Sequence, residues 1–309
     1  MKRLSIKDKN YVRLIHKGVQ LLEGTINVMV LFLFIGCTAF GAYAMWDSNQ
    51  LYVDADARQY EQYKPIDKDT RSFAELKEIN EEVIGWLTVY GTNIDYPLLQ
   101  AEDNETYVNT SITGEKVLSG SIFLDHRNQP DFSDFNSIIY GHHMDKQMMF
   151  GDIGEFQDEA YFKERRYGQI YDGKDEYGIE FFAFVEADGY DKSVYSPALI
   201  KPESQQEYLA GILEKALHSR EIEVASLDRL VLLSTCTSNV TNGRHILVGQ
   251  ISDTLHDDPF IKAGMTGAIG QSDGYWNSRI FWLTIMMLVL VNVILILSKR
   301  KKSRKRKQK

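Results

Sequence analysis

A cysteine and an arginine flank a short polar loop in the stretch 229–250, RLVLLSTCTSNVTNGRHILVGQ. Leu230, Val231, Leu232 and Leu233 form an apolar, strand-forming run of the kind buried in a sheet. Ser234, Thr235 and Cys236 end that run, residues 237–243 supply turn chemistry, and Arg244 opens a second run that continues to Gly249. In an antiparallel hairpin the end of one strand faces the start of the next, so Cys236 and Arg244 are expected to be neighbours. A fixed positive charge beside a thiol favours the ionised form, which is the nucleophile.

A third group joins them. The short apolar run Ser137-Ile138-Ile139-Tyr140 stops at Gly141-His142-His143, an arrangement that presents an imidazole at a strand end. A cysteine thiolate attacks an amide carbonyl, an imidazolium protonates the departing amine, and a cationic donor steadies the substrate and the developing oxyanion. The product is a thioester, and residue chemistry leaves open whether water or an amine attacks it next. His142, Cys236 and Arg244 are therefore the candidate catalytic residues. No second ligand cluster at metal spacing accompanies His142, His143 and Asp145, so no metal is expected. His143, His126 and His245 read as structural. A papain-like order is disfavoured, because there the cysteine comes first and opens a helix, whereas here histidine precedes a cysteine that ends a strand.

The elements that must position these groups are mostly strands. Ser72 with Glu75 forms a capping box ahead of an amphipathic helix through Phe73, Leu76, Ile79 and Val83. Strands are expected at 85–89, 94–99, 121–125, 137–140, 168–171 and 179–187, with short helices in 147–160. Tyr208, Leu209, Ile212, Leu213 and Leu217 stand at helical spacing, which predicts a helix over 203–218 just before the cysteine strand. Many strands with few helices point to a mainly β fold, a barrel.

Charge and hydropathy place this domain outside a membrane. Residues 26–46 are 21 in a row with Asn27 the single strongly polar one, and 280–297 are 18 with Asn292, so each can cross a bilayer. Six basic residues precede the first and nine of the last 11 residues are Lys or Arg, which puts both termini in the cytoplasm. The expected plan is a basic cytoplasmic arm (1–24), a transmembrane helix (25–46), a juxtamembrane stalk (47–71), a catalytic domain (72–255), an extracellular linker (256–279), a second transmembrane helix (280–298) and a basic cytoplasmic tail (299–309). The net charge of −8 conceals an outer portion with 20 basic against 41 acidic residues, about −21, which argues against a nucleic-acid partner. The tail directly behind a span reads as a clamp on membrane lipid headgroups. Of two cysteines Cys37 lies in the first span, so Cys236 has no disulfide partner in an oxidising compartment, which a purely structural role seldom explains.

These residues resemble a known family. Leu233-Ser234-Thr235-Cys236-Thr237 followed by Arg244 is similar to the sortase signature around its cysteine, and Ile139-Tyr140-Gly141-His142-His143-Met144 is similar to the histidine motif of class B sortases. Gly85-Trp86, Ile94-Asp95-Tyr96-Pro97 and Ile122-Phe123-Leu124-Asp125 match that class too, so the resemblance covers nearly all of 72–252. It implies an eight-stranded sortase β-barrel with N-terminal helices and a long helix before the cysteine strand. The implied activity is cysteine transpeptidation on a Gram-positive surface: cleavage within a C-terminal sorting motif of the LPxTG or NPxTx kind, then transfer to an amine. His142 carries over as general acid and base, Cys236 as nucleophile, Arg244 as the substrate-orienting and oxyanion-stabilising group, and Ser234 as a substrate contact. No metal or organic cofactor is implied. The implied partners are surface proteins or pilins bearing a sorting signal, and the amine belongs to a pilin lysine or to peptidoglycan. A second span with a basic tail is a feature of pilin-polymerising sortases, which favours the pilin. Two rival readings stay open: a catalytically inactive peptide- or wall-binding membrane protein, and a thiol hydrolase.

Overall fold

The structure is a computed structural model that describes residues 6–65, 71–197, 199, 201–221, 229–236 and 242–262. These divide into two units, one ending at Asn49 and the other beginning at Gln50. The first unit is the body of a single helix, α1 (Ile6–Asp54). Among the described residues it is the one helix long and apolar enough to cross a membrane. At 1.5 Å per residue its 49 residues span about 70 Å, more than twice an apolar bilayer core of about 30 Å. The helix thus takes in most of the expected arm and runs on into the first third of the expected stalk. No proline interrupts 6–54, and extending a nucleated helix is cheap. The expected second span at 280–298 and the tail lie outside the described residues.

The second unit opens with two 3₁₀ turns, Ala57–Gln59 and Glu61–Tyr63, and then α2 (Arg71–Ile79). Two expectations about α2 need correcting. Ser72 lies within the helix, where its hydroxyl donates to the Lys64 carbonyl at 3.3 Å, so it does not act as an N-cap. The helix also ends at Ile79, and Val83 instead opens a strand. Only Phe73 and Leu76 are needed to anchor so short a helix, and both are buried against Trp86, Leu99 and Tyr171.

Eight strands then close on themselves. They are β1 (Val83–Val89), β2 (Asp95–Leu99), β3 (Phe123–Leu124), β4 (Asn136–Tyr140), then, beyond a two-stranded ribbon of β5 (His143–Met144) and β6 (Met148–Met149), β7 (Tyr167–Tyr171) and β8 (Glu176–Asp188). A short helix α3 (Glu159–Glu164) leads into β7, and α4 (Pro202–Lys215) with β9 (Ala216–Ser219) precedes the last pair, β10 (Leu230–Cys236) and β11 (Gly243–Ser252). The ring runs β1-β2-β3-β4-β10-β11-β8-β7 and back to β1, with β2–β3 and β4–β10 parallel and all other pairs antiparallel. This is the expected eight-stranded closed barrel. β9 adds to the outside of β8 and ends the region expected to be helical. The helix stops at Lys215 because Ala216 turns extended, and Leu217 is left half exposed on a strand.

Alternation along β10 explains why its run is apolar on both faces. Val231 and Leu233 point into the barrel with Leu87, Leu98, Ile139, Phe181 and Leu247. Leu230 and Leu232 instead pack outward with Ile138, Phe182 and Ile246 beneath Tyr208, Leu209 and Ile212 of α4. Each of these three α4 side chains contributes on the order of 1.5–3 kcal/mol of burial. That double packing holds β4, β10 and β11 rigid up to the ends where the candidate residues stand. After β11 the chain turns back on the barrel: the His256 ring stacks on Tyr167 at 3.9 Å, and Phe260, in α5 (Pro259–Lys262), lies over Arg165.

Candidate active site

Three neighbouring strands deliver the candidate residues to one end of the barrel. β10 and β11 pair with Cys236 directly opposite Arg244, as the hairpin reading expects. On its other side β10 pairs with β4 in parallel, Ser234 against Tyr140, and the Gly141 N–H donates to the Ser234 carbonyl at 3.2 Å. The pairing ends there, with Cys236 two residues beyond Ser234 and His142 two beyond Tyr140, so both follow the same end of the paired strands. Adjacent strands lie about 4.8 Å apart. Two strand ends 94 positions apart in sequence thereby come to one end of the barrel, with Arg244 opposite the cysteine on its other side.

Glycine makes the exit of β4 possible. A Cβ on Gly141 would lie 2.5 Å from Ile122 Cδ1 and 2.8 Å from the Phe150 ring. The chain turns there, and the His142 carbonyl is held by the Phe150 N–H at 2.9 Å. The imidazole reaches away from β4 to a long excursion between β2 and β3, placing Nε2 2.6 Å from the Val108 carbonyl oxygen. A carbonyl can only accept, so Nε2 carries the proton of that bond.

The other flank is a wall of phenols and charges. Ser234 is buried, and its hydroxyl shares a 2.8 Å hydrogen bond with the Tyr195 phenol. Tyr195 stacks on Tyr140 at 6.2 Å, and the Tyr140 hydroxyl donates to Asp125 at 3.0 Å. Asp125 is fully buried yet ionised: burial alone would raise its pKa, but hydrogen bonds from Arg127 and Tyr140 and the guanidinium charge hold it at about 2. Burial and this carboxylate together push the Tyr140 phenol far above its usual range, so it remains a donor. Arg127, Tyr140, Tyr190, Lys192, Tyr195 and Arg244 line a cavity of about 330 Å³ together with Gly189. A Cβ on Gly189 would sit 3.1 Å from Arg244 Nε, so glycine leaves room for the guanidinium. The cavity has the size of a small peptide subsite, flanked by cations and aromatic faces.

Three further histidines read as structural. His143 is exposed on β5, and His126 stands 3.7 Å from Asp125. His245 is buried on β11 with Nε2 3.4 Å from Glu186, and burial lowers its pKa despite that carboxylate. Sequence reasoning passed over Tyr195, the Asp125–Arg127 pair and Val108. Tyr140 stands in the run that leads to His142, but nothing marks Val108, whose contribution is a backbone carbonyl.

A closed eight-stranded barrel with a cysteine strand paired in this way is the architecture of the sortases. No protein-family model matches the chain. Sortase B of Listeria monocytogenes is 33% identical over 181 residues, which span 57% of this chain and 72% of that protein. The structure of sortase B from the type II pilus of Streptococcus pneumoniae is 48% identical, with a TM-score of 0.51, and the match covers 59% of this chain and 99% of that one. A Streptococcus pyogenes class B sortase involved in pilus biogenesis is 41% identical at a TM-score of 0.54, covering 58% and 97%. The chain belongs to the class B sortase family and is a cysteine transpeptidase.

Proposed function

We propose that Cys236, His142 and Arg244 carry the transpeptidation, and that the enzyme joins surface proteins or pilins with a C-terminal sorting signal to an amine outside the cell. The Cys236 thiolate adds to the scissile carbonyl, Arg244 balances the oxyanion, and His142 gives its proton to the departing amine, leaving a thioester. The incoming amine then adds to that thioester and loses its proton to His142, and the thiolate departs. The supporting observation is the pairing of β10 with β11 and with β4, which sets Cys236 opposite Arg244 and brings the strand that leads to His142 alongside. Ser234, through Tyr195, shapes the substrate wall of the cavity.

We take the pilin lysine as the acceptor, supported by the two relatives whose own descriptions name a pilus or pilus biogenesis. The apolar helix Asn10–Asp54, with its basic N-terminal flank, supports an anchor with a cytoplasmic N-terminus; a second span at 280–298 would return the C-terminus there. The test is incubation of the detergent-solubilised full chain with a sorting-signal peptide and either a lysine-containing pilin peptide or a peptidoglycan cross-bridge peptide. Ligation to the pilin lysine is expected, with loss of roughly 10²–10⁴-fold in Cys236→Ala and His142→Ala. A free-acid product alone would make the protein a hydrolase, and exclusive use of the cross-bridge peptide would assign it to wall anchoring.

A further inference from the structure

We infer that the excursion joining β2 to β3, residues 100–122, is a positioning device for the His142 imidazole. It works through the Val108 carbonyl, with Tyr107 and Gly120 as the residues that hold that carbonyl in place. This rests on the role proposed for His142.

The excursion is long but not loose. Asn104 ties it to the barrel wall, donating to Asp125 at 3.0 Å and accepting from the His126 N–H at 2.9 Å. Asp103 caps the turn that follows by accepting from the Glu105 and Thr106 N–H groups at 2.8 and 2.7 Å. Tyr107, buried directly before Val108, is held at both ends. Its hydroxyl donates to the Glu82 carboxylate and accepts from the Asn80 amide at 2.9 Å, and its carbonyl accepts from the Ser121 N–H at 2.9 Å. Gly120 crosses directly over the same two peptides. At φ +57° it adopts a backbone that favours glycine, and a Cβ there would lie 2.4 Å from the Val108 oxygen and 2.6 Å from the Tyr107 oxygen. The carbonyl that meets Nε2 at 2.6 Å is thus fixed from behind by Gly120 and from the side by Tyr107.

The consequence is chemical. With Nε2–H committed to a carbonyl, the neutral ring is held as one tautomer and Nδ1 is the nitrogen that exchanges a proton with the reacting groups. The same Nε2–H bond is available to the ring in either protonation state, so the orientation is kept as the proton comes and goes. The carbonyl orients the ring and leaves Nδ1 for proton exchange.

The test uses the full chain in micelles, labelled with ¹⁵N-histidine, with the His142 signal assigned by its loss in His142→Gln. The wild type is expected to show the Nε2–H tautomer. Gly120→Ala and the milder Tyr107→Phe, which keeps the ring packed, are expected to mix the tautomers. Both should lower kcat for amine ligation by on the order of tenfold while KM stays within about twofold. Wild-type kcat and an unchanged Nε2–H signature in folded Tyr107→Phe and Gly120→Ala would overturn the inference while His142→Gln remained inactive. Full activity in His142→Gln would instead remove the His142 role on which it rests.

Discussion

Two aspartates bracket His142 in the sequence, both with fully buried side chains, and they titrate in opposite directions. Asp125 precedes it and braces the Tyr140 wall. Asp152 follows it in the turn after β6, where it accepts from the Asn93 N–H at 2.7 Å and the Tyr161 hydroxyl at 3.3 Å. Burial raises Asp152 to about 6, only partly opposed by these two donors, with Glu155 adding repulsion. Asp125 suffers the same desolvation but receives Arg127 Nε at 2.9 Å, Nη2 at 2.8 Å, the Arg127 N–H at 3.0 Å, and Tyr140 and Asn104 at 3.0 Å each. Burial therefore does not decide whether a carboxyl is charged; the count and charge of its donors do. The side of the barrel that forms the cavity wall carries a fixed charge, and the other side carries one that comes and goes near neutrality.

The largest effect should come from removing the cation on the charged side. Arg127→Met leaves Asp125 buried with only neutral donors, and chemical denaturation at pH 7 is expected to show a loss of about 2–4 kcal/mol. An unchanged midpoint would mean that water replaces the guanidinium. A smaller effect separates the two carboxyls by pH. Asp125 is depressed in the folded state, so its contribution is present above the unfolded pKa near 3.8 and fades as pH falls towards about 2. Asp152 is raised, so its protonated form favours the fold below about 3.8, and that contribution is lost as pH climbs through about 6. Thermal melting across pH 3 to 7 should therefore show Asp152→Asn flattening the decline between about 4 and 6 while leaving the acid limb below 4 intact. The smallest effect is expected below about pH 4, where a neutral amide replaces a neutral acid and Asp152→Asn should change stability by less than about 1 kcal/mol; at pH 7 the amide should stabilise, because it carries no buried charge. A large loss there would make Asp152 a carboxylate with an unrecognised partner.

The legible parts of this fold were those written in local pattern. The apolar run 230–233, the turn residues after Cys236 and the Arg244 run specify a hairpin, and a hairpin specifies that Cys236 faces Arg244, as it does. Local pattern failed where a neighbour from far along the chain overruled it. Leu217 keeps helical spacing with Leu213, yet β8 captures 216–219 as an added strand, because its edge offers hydrogen bonds that a last helical turn cannot match. Val83 likewise continues the spacing of α2 but pairs with Leu99.

The candidate site divides along the same line. Which residue types are available, a lone outer-domain cysteine, a histidine after glycine at a strand end and an arginine across a turn, was determined by the sequence, since identity and short spacing are local properties. That the strand leading to His142 lies beside the cysteine strand was decided only by the parallel pairing of β4 with β10, which depends on closing a barrel over the 93 residues between His142 and Cys236. The grip of Val108 on the imidazole and the opposite charges of two buried aspartates belong to the tertiary structure alone. A backbone carbonyl has no letter, and a carboxyl group's protonation is set by the donors that folding brings to it.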